Sequence, residues 1–169
     1  MDHDTVSLTF GYELELVVRC NTVFNATGYR GNEKEVFTYF ANLLTENGCK
    51  AEAYLPTSTR SCPDYTKWNI TNDSTIVEET ASMQGSRVDR HFRVAMELVS
   101  PIFRVRDDWE NAIQIAMASV SLPDVRSNST TGLHVHIGLE QRDLNVVELK
   151  RIAQFVIIFE CEFLFLYCI

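Results

Sequence analysis

The sequence predicts an α+β fold: a mostly antiparallel sheet, helices packed on one face, and an open face carrying acids and histidines. Three observations carry this expectation. Three segments alternate apolar and polar residues with period two, three others repeat apolar residues at helical spacing, and the polar faces of the strands collect Glu and His.

The first strand is LTFGYELELVVR (8–19). Phe10, Tyr12, Leu14, Leu16 and Val18 share one face, and Gly11, Glu13 and Glu15 the other. In RHFRVAMELVS (90–100), Phe92, Val94, Met96 and Leu98 oppose His91, Arg93 and Glu97. In GLHVHIGLE (132–140), Leu133, Val135, Ile137 and Leu139 oppose His134, His136 and Glu140. Shorter strands are expected near 50–55 and 66–70. Helices alternate with these. Asn32 with Glu35 forms a capping-box pattern ahead of Val36, Phe37, Phe40, Leu43 and Leu44, and Asn47-Gly48 ends that run. Asp107 with Glu110 opens a second helix, and a third starts near Asp143 or Asn145 and continues to the end of the chain. Segments 20–32, 56–65, 78–89 and 123–131 read as polar loops.

A chain of 169 residues fits one domain with an ample core. The net charge of −8, with no Lys/Arg stripe, excludes a binder of nucleic-acid backbones. An acidic protein still accepts a nucleotide when a divalent cation stands between them. The five scattered cysteines (Cys20, Cys49, Cys62, Cys161, Cys168) contain no CxxC pair and read as reduced thiols. MDHDTVSLTF has acids where a secretory signal needs base, so a cytoplasmic protein is expected and the sequons at Asn25, Asn69, Asn72 and Asn128 read as chance matches. FVIIFECEFLFLYCI, at the C-terminal end, is apolar almost all round, yet too short to span a bilayer and interrupted by Glu160 and Glu162. No membrane partner is expected. This end reads as an uncovered helix of a truncated domain, and it offers, with the sheet edge, a surface for oligomerisation.

Chemistry concentrates on the polar faces. Glu13 and Glu15 lie two apart on a strand, so their carboxylates point the same way from Cα atoms about 6.5–7 Å apart. Like charges so placed repel unless a cation neutralises them. Glu97 precedes Ser100-Pro101, where Pro101 should end the strand. Asp73 sits in a turn of WNITNDSTI. His134 and His136 share a strand face, suited to zinc or iron, or to a phosphate or magnesium-bound ligand. Gly132 and Gly138 bracket them and allow close backbone approach. With Glu140 they match the HxHxxxE opening of cupins, but cupins are all-β barrels, no third histidine follows, and this chain has three helical runs.

FGYELEL, WNITNDSTI, MELVSPIF and TGLHVHIG, in this order, resemble the amidoligase family, related to glutamine synthetase and glutamate–cysteine ligase. The resemblance spans about residues 8–165, with Thr131 where the family often has cysteine. It implies a glutamine-synthetase-like fold, incomplete at the C-terminus, because family members are normally longer. It implies an ATP- and Mg²⁺-dependent ligase that joins a small-molecule or peptide carboxylate to an amine through an acyl phosphate. Carried onto this sequence, Glu13, Glu15 and Glu97 would be metal ligands, and Glu15, Asp73 and His136 would contact ATP. Glu13, Glu97, His134 and His136 would form the catalytic group. Two alternatives stand beside it: a non-catalytic, truncated ligase-like binding domain, and a transition-metal protein built on His134 and His136.

Overall fold

The computed structural model describes residues 7–19, 32–55, 62–77, 93–122 and 124–165, with side chains described as far as Ile157. The expected loops over 20–31, 56–61 and 78–89, the strand residues His91 and Phe92, and the expected continuation of the last helix over 166–169 lie outside the described residues. In chain order the elements are β1 (Leu8–Arg19), α1 (Glu33–Glu46), β2 (Ala51–Ala53), β3 (Trp68–Thr71), β4 (Arg93–Val99), β5 (Phe103–Arg104), α2 (Trp109–Val120), β6 (Val125–Arg126), β7 (Leu133–Leu139) and α3 (Val146–Phe165). The fold is α+β, with a mixed open sheet and three helices among the described residues.

The chain divides into two units, Thr9–Ile137 on the one hand and Met1–Leu8 with Gly138–Ile169 on the other. In the larger unit the sheet runs β2–β3–β4–β1, and β5, β6 and β7 each pair with β1. β2 and β3 are parallel, whereas β4 is antiparallel to both β3 and β1. The even-numbered face of β1 and β4 is the core face. Leu16, Val18, Val94, Met96 and Leu98 are buried there against Phe37, Phe40 and Leu44 of α1, which packs across β2, β3 and β4. The odd-numbered face carries Glu13, Glu15 and Glu97. A one-residue slip would exchange the two faces, so burial of the aliphatics fixes the register.

A bulge joins β4 to β5. Three steps along β1, from Phe10 to Glu13, oppose four along the facing segment, from Phe103 to Val99. Pro101 has no N–H to give the ladder, and Ser100 repairs the gap. Its N–H donates to the Tyr12 carbonyl (2.9 Å), and its Oγ accepts from the Tyr12 N–H (2.9 Å) and donates to the Pro101 carbonyl (2.8 Å). Gly11 leaves room for that hydroxyl, since a Cβ there would lie 3.3 Å from Ser100 Oγ.

The helix starts follow their caps. Asn32 Oδ1 accepts from the Glu35 N–H (2.9 Å), and Gly48, just past the Asn47 C-cap of α1, has φ at 96°. α2 starts one residue later than its Asp107 signal predicts: Asp107 Oδ2 accepts from the Arg104 N–H (2.7 Å), which leaves Asp108 at the N-cap. In the smaller unit, Asn145 Oδ1 accepts from the N–H groups of Val147 and Glu148, and Glu148 Oε2 accepts from the Asn145 N–H, a reciprocal capping box. Arg142 holds the same Glu148 by two bonds of 2.8 and 2.6 Å.

Three further expectations are corrected. The segment 123–131 is not all loop, because Val125 and Arg126 pair with Val18 and Val17 as β6. The two residues of β5 also escape the period-two pattern. Helix α1 packs on β2, β3 and β4, and Leu133, Val135 and Ile137 of β7 are exposed. α3 likewise exposes Val146, Val147, Leu149, Phe155, Val156 and Ile157. No helix among the described residues is long and apolar enough to cross a membrane. Cys49 and Cys62 are in no disulfide, and Asn69 is fully buried, its amide donating to the carbonyls of Asp64 and Lys67.

Replacing Ser100 by Ala leaves the buried Tyr12 N–H without its acceptor. Urea denaturation should show a loss of about 1–3 kcal/mol, the usual cost of a stranded buried donor. An unchanged midpoint would mean that the hydroxyl does not carry the bulge.

Candidate metal and nucleotide site

The open face of β1 is where the six sequence-predicted residues meet. The β1–β4 ladder sets Glu15 directly opposite Glu97 and Glu13 opposite Val99. β3 flanks Glu97 with Thr71, and the turn that follows β3 delivers Asp73. From the other side, β7 delivers its histidines. His136 Nε2 lies 3.0 Å from Glu13 Oε2, within hydrogen-bond reach. His134 lies between both glutamates, with Nδ1 3.5 Å from Glu13 Oε2 and Nε2 3.6 Å from Glu15 Oε1.

Backbone and side chain cooperate in this placement. Gly132, at the head of β7, donates its N–H to Glu15 Oε2 (2.8 Å) and accepts from the Glu15 N–H (3.0 Å). A Cβ there would stand 3.3 Å from His134 Nε2 and 3.6 Å from Glu15 Oε2. The close approach expected of this glycine is therefore present. Asp73 turns its Oδ1 onto the N–H and hydroxyl of Thr75 (2.7 and 2.8 Å), and these bonds hold its carboxyl below the usual carboxylate range.

Two groups of three side chains bring ligand atoms within 4.8 Å of one another: Glu13, Glu97 and His134, and Glu15, Asp73 and Glu97. Glu97 belongs to both. Burial first, and then the charges of Glu13, Asp73 and Glu15, push its carboxyl up to about 7. The basic side chains against these carboxylates, among the described residues, are His134 and His136. Four crowded carboxylates with so little counter-charge fit a hard divalent cation, which prefers oxygen ligands. Tyr65, which no sequence pattern singles out, stands within electrostatic reach. Its phenol is pushed up by burial and then by the charge of Glu13.

The raised carboxyl of Glu97 gives a pH signature in metal-free protein. Its folded value of about 7 exceeds the usual 4.5, so the folded state binds the extra proton between those values. Stability from this group is therefore fully present below about 4.5 and is lost as pH rises through about 7. In EDTA, Glu97→Gln should be more stable than the parent at pH 8 and lose that advantage at pH 5, as read from urea midpoints. A difference independent of pH would contradict the electrostatic cause.

A family model described as "Putative amidoligase enzyme" matches residues 7–163. No curated protein and no solved structure matches the chain. The matched span takes in β1, β3, β4 and β7, and with them all six side chains of the cluster. The chain belongs to this amidoligase family.

Proposed function

We propose that the protein forms amide bonds in an ATP-dependent reaction, activating a small-molecule or peptide carboxylate for attack by an amine. The observation that carries this reading is the pair of carboxylate groups sharing Glu97 on one sheet face, in a chain of the amidoligase family. The substrate carboxylate oxygen takes the γ-phosphoryl group and ADP leaves; the amine then attacks the acyl carbon and phosphate leaves. Mg²⁺, when bound, supplies charge neutralisation between the protein carboxylates and the nucleotide phosphates. Glu13, Glu15 and Glu97 are assigned to hold it, and Asp73 with His136 to orient the nucleotide.

Strands hold most of the ligands, so the face is preorganised and phosphoryl transfer, which is mostly positioning, needs little rearrangement. His136, exposed and within hydrogen-bond distance of Glu13, is assigned to take the proton that the attacking amine must lose. His134, between Glu13 and Glu15, links the two carboxylates. Among the described residues no group of three ligands contains both histidines. That arrangement favours an oxygen-rich cation site over a zinc or iron centre built on the histidine pair.

Calorimetric titration with ATP provides the test. Binding should require Mg²⁺, vanish in EDTA, and weaken roughly tenfold or more in Glu13→Gln and Glu15→Gln, a change of about 1.4 kcal/mol. Binding that persists in EDTA, or that both variants leave unchanged, would sink the assignment.

A further inference from the structure

Five of the six clustered side chains project from strands, where ladder hydrogen bonds fix them. Asp73 does not: it lies in the turn beyond β3. That turn closes on itself through the two Thr75 bonds and the Ile76 N–H to the Asp73 carbonyl (3.4 Å). Its far end, Val77, is held at two points by a loop distant in sequence. The Val77 N–H donates to Thr130 Oγ1 (2.9 Å), and the Val77 carbonyl accepts from Asn128 Nδ2 (2.9 Å). Thr130 donates both its N–H and its hydroxyl to Asn128 Oδ1 (2.8 Å each), and Thr131 closes the turn through the Asn128 N–H (2.8 Å). The next residue, Gly132, is bonded on both sides to Glu15. Hydrogen bonds joined by short stretches of backbone thus lead from Asp73 out through Val77 and back to Glu15, and both ends belong to the same group of ligands.

Val77 lies at the surface, 57% exposed. Bonds at such a place do little to exclude solvent from the core. They fix position. We infer that Thr130 and Asn128 are positioning residues that hold Asp73 in the cation site by gripping Val77. This role rests on the proposed function of the carboxylate cluster. It also gives a use to the Thr-rich approach to the histidine strand, in which Thr130 reaches outward to Val77 and Thr131 seals the local turn.

The test is Mn²⁺ affinity of the full chain, measured by calorimetry or electron paramagnetic resonance, in a double-mutant cycle with Asp73→Asn. Thr130→Val should weaken Mn²⁺ roughly 10- to 100-fold, the usual range when a group that orients a metal ligand is lost. Thr130→Ser, which keeps the oxygen, should bind as the parent does. In the Asp73→Asn background, Thr130→Val should cost nothing further, because its effect passes through Asp73. Should Thr130→Val lower the melting temperature, Thr130→Ala removes the same hydroxyl with less bulk and is read in its place. Unchanged affinity in Thr130→Val while Asp73→Asn weakens binding would overturn the positioning role and leave the cation site standing, as would a full penalty added on top of Asp73→Asn. A parent chain that binds no Mn²⁺ overturns both.

Discussion

The pairing of Glu15 with Glu97 across the β1–β4 ladder is the constraint on which the rest depends. Like charges directly opposite each other destabilise a sheet, and here Glu15 is buried and Glu97 half-buried, so water screens them poorly. The register cannot shift to relieve this. Leu14, Leu16, Val18, Val94, Met96 and Leu98 occupy the other face and would lose their burial with any one-residue slip. The aliphatic face of two strands therefore holds their carboxylates together, and the Gly132 N–H and His134 answer only part of the resulting charge. The proposed cation would answer the rest.

Much of this was legible in the sequence because the signals are local. Period-two alternation marks β1 and β4, and it puts Glu13 and Glu15 on the polar face of one strand and Glu97 on the polar face of the other; the β1–β4 ladder then joins those faces. Asn32 with Glu35 marks a helix start through a short-range bond, and Asn145 is one of two starts expected for the last helix. What stayed hidden is non-local. β5 and β6 are two-residue strands that exist only because β1 pairs with them. Asp107 looks like a cap until Arg104 claims its carboxylate. The exposure of Leu133, Val135 and Ile137 is not encoded in the alternation within β7. The hold of Asn128 and Thr130 on Val77 joins residues about fifty positions apart, with no spacing pattern to announce it.

The site also shows a division of labour. Strands carry Glu13, Glu15, Glu97 and both histidines, and rigid elements hold functional groups more closely than loops do. The remaining carboxylate, on a turn, is braced by a second turn that is itself tied to β1. Ser100 performs a comparable service at the bulge, where its hydroxyl stands in for a ladder bond next to the carboxylate face. Small polar side chains thus fix the Asp73 carboxylate, through Thr75, and the bulge beside the acids, through Ser100.

The most direct test of the cation site is paramagnetic broadening by Mn²⁺ in a ¹H–¹⁵N NMR titration of EDTA-treated protein. The account predicts early loss of the Glu15, Glu97 and Gly132 amide signals at substoichiometric Mn²⁺, with the signals of α1 retained. Broadening spread evenly over the acidic surface, or none around Glu97 at stoichiometric metal, would contradict a cation site on this face.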